Sequence, residues 1–134
     1  MSKKIVIIDY SLGNLYSVQQ AFTHYGANTH LSLNAEDIAH ADAIVLPGVG
    51  AFGEAMMNLK KNKLDMAIKD SIAAGKQFLG ICLAMQLLFT SSEEFGATQG
   101  LGIIEGEIKK FNAAIPGEKL HIPQVGWNTI EEPA

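Results

Sequence analysis

Four short runs of apolar residues recur along the first 81 positions of the chain. The run that follows Lys4 holds four consecutive branched side chains, which is typical of a strand buried on both faces of a parallel sheet. The run near Thr29 is weaker. The predicted strands are 4–10, 29–33, 43–46 and 77–81.

Between these runs lie segments in which apolar residues have the spacing of a helix. Leu15, Val18, Phe22 and Tyr25 fall on one face of a helix, and Gly26 suits the position just past its end. Other segments carry comparable helix signals, including cap residues and acidic side chains in a first turn. The predicted helices are 15–25, a short helix after the N-cap Asn34, 53–74 with a break near Asn62, and 83–89.

The sequence beyond Gly100 is predicted to be rich in strands, over 101–104, 107–111 and 125–130. Strands that alternate with helices at this spacing predict βαβ units around a mostly parallel sheet with helices on both faces. No repeat, low-complexity tract or charge block divides the sequence. We therefore expect one α/β domain over 1–134.

Composition narrows the class of protein. The 134 residues are 48% hydrophobic and 18% charged, which supports a buried core and argues against disorder. A single cysteine excludes an intrachain disulfide, and a net charge of −4 gives no basic surface for nucleic acid. The N-terminal apolar run is too short for a signal peptide, and no stretch approaches a membrane span, so we expect a cytoplasmic protein.

Three predicted loops, 11–14, 47–53 and 80–84, leave the carboxyl ends of strands, where open α/β sheets bind ligands. The second loop has three glycines, so its backbone N–H groups could face an anion or an oxyanion, although a plain turn fits equally well. No histidine has metal-ligand spacing with a carboxylate or the cysteine, and we expect neither metal nor cofactor. His121 is the only histidine after the cysteine and a weakly supported candidate base.

The third loop carries the cysteine. Cys82 lies between a predicted strand and a predicted helix, which is the setting of a nucleophile elbow. Such an elbow needs small residues two positions before and after the nucleophile, where Gly80 and Ala84 stand. The helix N-terminus would favour the thiolate form. The local pattern alone also fits a buried, inert cysteine, which is the somewhat commoner case.

Two segments resemble the class I, or triad, glutamine amidotransferases. These are Gly80-Ile-Cys82-Leu-Ala-Met-Gln86-Leu-Leu-Phe and Leu46-Pro-Gly-Val-Gly50. Within that class, Ile8-Asp9-Tyr10 before Gly13-Asn14-Leu15, and Val125-Gly126-Trp127-Asn128, are similar to the glutaminase subunits of imidazole glycerol phosphate synthases. The resemblance runs from about residue 5 to residue 130 and implies a flavodoxin-like fold.

The resemblance implies a reaction and a partner. Cys82 would attack the side-chain amide of glutamine, form a thioester and release ammonia, and water would then release glutamate. The ammonia would pass to a cyclase subunit, a (β/α)₈ barrel of histidine biosynthesis. No nucleic acid or membrane is implied as a partner.

Site residues follow from the resemblance position by position. Cys82 matches the nucleophile. Other positions match the oxyanion donors, the residues that hold glutamine and the subunit interface. The oxyanion donors are the N–H groups of Val49 and Leu83, the glutamine-binding residues are Gly50, Ala51, Gln86 and Glu94, and the interface residues are Asn14 and Trp127.

The sequence departs from the family pattern at three places. Ala84 stands where glycine is usual, and Gln124 where the family often has histidine. The larger departure is the absence of a His-Pro-Glu segment from this sequence. In the family, that segment supplies the general base and the carboxylate that orients it. We therefore expect an N-terminal portion of a longer amidotransferase, which alone would be inactive.

Three alternatives remain open from the sequence. A thiol hydrolase of the related elbow-cysteine group is one, because Asp9 lies near the end of the first strand as an acidic residue does in that group. A non-catalytic module that docks on the barrel subunit is the second. A paralogue that supplies ammonia for the amination of surface sugars is the third.

Overall fold

The computed structural model of the chain describes residues 3–111, 122–123 and 125–132. These residues form five helices and seven strands, and none of the helices is long and apolar enough to cross a membrane. In chain order the elements are β1 (Lys4–Ile8), α1 (Leu15–His24), β2 (Asn28–Ser32), α2 (Ala35–Ala39), β3 (Ala43–Leu46), α3 (Phe52–Lys61), α4 (Leu64–Ala73), β4 (Gln77–Gly80), α5 (Leu83–Leu87), β5 (Phe89–Ser92), β6 (Thr98–Gln99) and β7 (Ile104–Ile108).

The first four strands form a parallel sheet in the order β2-β1-β3-β4. Ile5 of β1 is aligned with Thr29 of β2 on one side and Ala43 of β3 on the other. The chain runs outward from β1 to β2 and then back past β1 to β3. Because crossovers between parallel strands are right-handed, this reversal places α1 on one face of the sheet and α2 to α4 on the other. The predicted α/β, flavodoxin-like arrangement is confirmed.

The core lies between the sheet and the helices α2 to α5. Val6 and Ile8 of β1 alternate with Ile7, so they face these helices while Ile7 faces the opposite side. Full burial of one such side chain stabilises the fold by about 1.5–3 kcal/mol. No residue of α1 is fully buried, so the α2–α5 face contributes most of the packing. The helices supply Phe52, Met56, Leu59, Leu64 and Ile68, each at most 2% exposed.

Most of the first half of the chain follows the prediction. The long helical segment is broken near Asn62, as predicted, because Lys63 adopts a left-handed conformation with φ of 56° that ends α3 before α4 begins. Asn34 is the N-cap of α2 and accepts a hydrogen bond from the Glu36 N–H at 3.0 Å. β1 stops at Ile8, two residues earlier than predicted.

A second sheet, in the order β6-β5-β7, was not fully predicted. The predicted helix 83–89 ends at Leu87, and the next residues form β5, which pairs antiparallel with β6 and parallel with β7. The polar run Thr90-Ser91-Ser92 lacks the apolar pattern of a strand, so only its pairing reveals it.

The predicted strand 101–104 is wrong. Leu101 is buried and donates its N–H to the carbonyl of Leu87 at 2.8 Å, while Gly102 turns the chain with φ of 65°. The segment is a loop that anchors an apolar side chain, and a strand begins only at Ile104. The predicted strand 107–111 therefore starts and ends three residues too late.

The predicted strand 125–130 is also wrong. None of these residues pairs with another strand among the described residues, and Trp127 and Ile130 are 104% and 96% exposed. Alternating apolar residues form a strand only beside a hydrogen-bonding neighbour. The candidate base His121 and the departure from the family pattern at Gln124 lie outside the described part of the chain.

Candidate active site

Cys82 occupies a strained turn between β4 and α5. Its backbone has φ of 56° and ψ of −114°, a conformation that costs a non-glycine residue about 1–3 kcal/mol. Hydrogen bonds hold both sides of the turn, since Ile81 N–H donates to Leu46 O and Met85 N–H to Cys82 O, each at 3.0 Å. The cysteine is exposed. A sharp strand-to-helix turn that presents an exposed thiol is the geometry of a nucleophile elbow.

The elbow brings strand and helix backbones into contact, as the sequence predicted. A Cβ at Gly80 would lie 3.0 Å from the Met85 nitrogen and 3.1 Å from the carbonyl carbon and oxygen of Ala84. Glycine is therefore required on the strand side. Ala84 is fully buried and meets Gly80 through its backbone, so its methyl group is not part of this contact.

The 47–53 loop packs directly on the elbow. A Cβ at Gly48 would lie 2.8 Å from the Ala84 nitrogen and 3.1 Å from Cβ of Leu83. Among the described residues, no acceptor is hydrogen-bonded to the backbone N–H of Val49 or of Leu83. Two backbone donors from adjoining segments are thus available beside the cysteine turn, which is the composition of an oxyanion hole.

The first loop joins the same edge of the sheet. A Cβ at Gly13 would lie 3.1 Å from Cβ of Pro47, and one at Gly50 would lie 4.0 Å from Cδ2 of Leu12. All three predicted loops therefore meet. Asn14 is the N-cap of α1, and its side-chain oxygen accepts a hydrogen bond from the Ser17 N–H at 3.2 Å.

Two of the predicted glutamine-binding residues flank this junction. Glu94 Oε2 accepts a hydrogen bond of 2.7 Å from the N–H of Phe52, the residue after Ala51. The carboxylate therefore caps α3, whose N-terminal end has no other side-chain cap, and ties the turn after β5 to the 47–53 loop. Gln86 lies on α5, one turn beyond Cys82, and is half-buried.

No side chain among the described residues is hydrogen-bonded to the Cys82 sulfur. Two described histidines make other contacts: His30 lies 3.7 Å from Asp37, and His40 Nδ1 lies 2.8 Å from the Glu36 carbonyl oxygen. The described residues also contain no group of three potential metal ligands. The site so far described has a nucleophile and donors but no base.

Comparison with known proteins decides the family. Residues 4–114 match the model of the CobB/CobQ-like glutamine amidotransferase domain. The chain belongs to this glutamine amidotransferase family. The resemblance drawn from the elbow and the Pro-Gly-Val-Gly loop is thereby confirmed.

Curated relatives give a finer likeness. The chain is similar to the imidazole glycerol phosphate synthase subunit HisH of Bacillus subtilis, with 47% identity over 94% of this chain and 60% of the relative. The corresponding subunits of Sulfurimonas denitrificans and Lactococcus lactis are 48% and 51% identical, over 94% and 96% of this chain, and 61% of each relative is matched. The chain thus spans about 60% of the length of these relatives.

A solved structure supports the fold. The amidotransferase chain superposes on a peptidase E-like protein of Listeria monocytogenes with a TM-score of 0.56 and 17% identity, over 66% of this chain and 50% of the other. At this identity the likeness concerns the fold alone. Asp9, the acidic residue that suggested a thiol hydrolase, has a local role in this structure. Its Oδ1 accepts a hydrogen bond of 3.3 Å from the Ser11 N–H and closes a turn.

One residue of the amidotransferase site was missed by the sequence reasoning. Tyr10 is 2% exposed, and its hydroxyl oxygen would lie 2.8 Å from a Cβ at Gly48. Burial raises the pKa of Tyr10 to about 12, so the phenol stays protonated near neutral pH. Its position at the end of the predicted strand 4–10 made it resemble an ordinary core residue. Trp127, in contrast, is fully exposed and is not brought to the site within the described residues.

Proposed function

We propose that the protein carrying this chain is the glutaminase subunit of an imidazole glycerol phosphate synthase, acting in the cytoplasm in histidine biosynthesis. Residues 1–134 form part of a type 1 amidotransferase domain. The observation that carries the proposal is the strained, exposed Cys82 beside the N–H groups of Val49 and Leu83, which have no acceptor among the described residues. The HisH relatives support the choice of subunit.

In the first half of the reaction, the Cys82 thiolate attacks the side-chain carbonyl carbon of glutamine. A carbon–sulfur bond forms, and the carbonyl electrons move to the oxygen. When this tetrahedral intermediate collapses, the carbon–nitrogen bond breaks. The nitrogen takes a proton from a general acid and leaves as ammonia.

In the second half, water gives a proton to the general base, which restores the general acid, and its oxygen attacks the thioester, so that the carbon–sulfur bond breaks. Glutamate leaves, and the sulfur regains its thiolate form. Both halves pass through an oxyanion, which the N–H groups of Val49 and Leu83 stabilise. One such donor contributes about 10²–10³ in kcat.

The amino-acid end of glutamine binds along the junction of loop and elbow. Gly50 and Ala51 line this pocket, and Gly50 is exposed with a φ of 97°, a conformation that favours glycine. Gln86 and Glu94 hold the amino-acid end of glutamine, and the Glu94 carboxylate suits its α-ammonium group, which carries the opposite charge. Glu94 would do so while it caps α3, which makes the pocket depend on the loop position.

The general base lies outside the described residues. No described histidine contacts Cys82, and the sequence lacks the His-Pro-Glu segment of the family. General acid–base help is worth about 10²–10⁴ in rate, so the 134 residues alone would turn glutamine over at most very slowly.

The ammonia passes to a cyclase partner, a (β/α)₈ barrel, and subunit contact is made through Asn14, at the loop edge, and through the exposed Trp127. Asn14 lies at the start of α1, beside the loop that touches Pro47. Exposed Trp127 is of the residue type that anchors protein interfaces.

The decisive experiment compares glutamine with ammonium salt as the nitrogen source. The natural protein is combined with its cyclase, and formation of imidazole glycerol phosphate is measured for the wild type and for Cys82→Ala. We expect Cys82→Ala to abolish the glutamine-dependent reaction and to leave the ammonium-dependent reaction within about twofold, because the cysteine only generates ammonia.

Ammonium-dependent synthesis is the internal control for folding and subunit contact. Glutamine-dependent synthesis by Cys82→Ala would refute the role of the cysteine. Glutamine hydrolysis without any synthesis by the cyclase would retain the glutaminase and refute the pathway. Normal turnover by the 134-residue chain alone would show that the base lies within it.

A further inference from the structure

The Tyr10 hydroxyl is buried without a hydrogen-bond partner. Tyr10 is 2% exposed, and its hydroxyl oxygen is the one buried side-chain polar atom without a partner among the described residues. Buried polar groups in native proteins are almost always paired, and an exception marks stored strain or a functional role. This exception lies at the site.

The hydroxyl points at the contact between loop and elbow. The space that a Cβ at Gly48 would occupy is 2.8 Å from the hydroxyl oxygen and 2.8 Å from the Ala84 nitrogen. The other end of the residue is fixed, because the Tyr10 carbonyl accepts a hydrogen bond of 3.3 Å from Asn58 Nδ2 on α3. Strand end, helix and loop therefore hold the ring in one place.

We propose that Tyr10 is a positioning residue whose hydroxyl donates a hydrogen bond to the Gly48–Val49 peptide when glutamine is bound. The inference rests on the proposed glutaminase function. The peptide is planar, and its C=O and N–H point in opposite directions. If the Gly48 carbonyl is held toward Tyr10, the Val49 N–H is turned away from it.

In this arrangement the Tyr10 hydroxyl gains an acceptor, and the same hydrogen bond orients the Val49 N–H toward the oxyanion. The phenol is suited to the task because its raised pKa keeps it a neutral donor at all physiological pH values. Gly48 is suited because any side chain there would occupy the space in front of the hydroxyl.

The test uses Tyr10→Phe in the natural protein with its cyclase, and Tyr25→Phe as a matched control. Tyr25 is 87% exposed, so its hydroxyl is in water. We expect Tyr10→Phe to lower kcat for glutamine hydrolysis roughly tenfold or more with KM changed less than about threefold, since an oxyanion donor is worth 10²–10³. The control should match the wild type.

A second measurement separates positioning from general damage. A chloroketone analogue of glutamine alkylates Cys82 through an addition that places negative charge on its oxygen, whereas iodoacetamide alkylates by displacement without an oxyanion. We expect Tyr10→Phe to slow the chloroketone as it slows kcat and to leave the iodoacetamide rate unchanged. Equal slowing of both reagents would overturn the proposal.

The remaining outcomes are also decisive. An active wild type with an equally active Tyr10→Phe variant would overturn the role of Tyr10 alone. A wild type that does not hydrolyse glutamine would overturn the proposed function and the role of Tyr10 with it. Tyr10→Phe should melt at or above the wild-type temperature, because the lost hydroxyl has no partner. A clearly lower melting temperature would mean that the hydroxyl is already bonded in the free protein.

Discussion

Replacement of Gly48 by alanine tests the contact on which the site depends. The new Cβ would lie 2.8 Å from the Ala84 nitrogen, 2.8 Å from the Tyr10 hydroxyl and 3.1 Å from Leu83 Cβ. Real Cβ atoms do not approach other heavy atoms within 3.0 Å, so the neighbours must move. None moves easily, since Tyr10, Leu83 and Ala84 are each at most 4% exposed.

The magnitude follows from overpacking. One methyl group forced into a filled site costs about 1–3 kcal/mol. At about 2.1 cal/mol/K of unfolding entropy per residue, this cost lowers the melting temperature of a chain of this size by about 4–11 °C. In the proposed glutaminase, the same displacement moves Val49 N–H from the oxyanion and should lower kcat by about 10²–10³.

Thermal unfolding and glutaminase kinetics of Gly48→Ala measure the two effects. Gly126→Ala is the matched control, because a Cβ there meets nothing within 4 Å. The double variant with Tyr10→Phe removes one of the two 2.8 Å contacts and should recover part of the lost stability. A Gly48→Ala variant that melts and turns over like Gly126→Ala would refute the close packing of loop on elbow.

Two further predictions concern side-chain hydrogen bonds. Glu94→Ala removes the carboxylate that accepts the 2.7 Å hydrogen bond from Phe52 N–H, and it should lower the free energy of unfolding in urea by about 0.5–2 kcal/mol. Glu105→Ala, at an exposed position, is the control and should leave that free energy unchanged. Equal unfolding free energies for the two variants would refute the cap. The hydrogen bond from Ser32 lowers the pKa of Asp37 below its usual 3.8, so the ionised Asp37 contributes stability above that pH, and this contribution is lost as pH falls through its folded pKa. Ser32→Ala should raise the midpoint of the Asp37 carboxyl resonance in an NMR titration, and an unchanged midpoint would contradict this.

The elbow and its glycine loop could be predicted because their sequence signals are local. A cysteine between an apolar strand and a helix needs small neighbours, and Gly80 has the contacts that this requirement implies. Parallel strands bring their carboxyl ends to one edge, so three loops were expected to meet there before any distance was known. The close approach of Gly13 to Pro47 confirms that the first two loops are in contact.

Elements that depend on pairing could not be predicted. β5 consists of Phe89 and three polar residues, and only its ladder with β7 makes it a strand. The segment 125–130 has the opposite character, with an apolar pattern but no partner strand among the described residues. An apolar pattern indicates only that side chains will be buried, and Leu101 is buried although it lies in a loop.

The hydrogen-bonding state of single polar atoms could not be predicted from the sequence either. The sequence placed Tyr10 at the end of a strand and Glu94 near the glutamine pocket. It could not show that the hydroxyl of the first would be unpaired, or that the carboxylate of the second would cap α3. Both facts arise from contacts between segments more than 35 residues apart, as the separation of 42 residues for Glu94 and Phe52 illustrates.

The glycines of this site are divided between its two sides in a way that explains why Ala84 is tolerated. A close approach of two backbones needs a missing side chain on only one of them. Here the strand side supplies it at Gly80 and the loop side at Gly48, and both face backbone atoms of Ala84. A methyl group on Ala84 leaves the helix in a conformation open to any L-residue, so the elbow keeps its geometry. A missing side chain is therefore needed on the two segments that pack against the helix, while the buried helix position between them accommodates the methyl group of alanine.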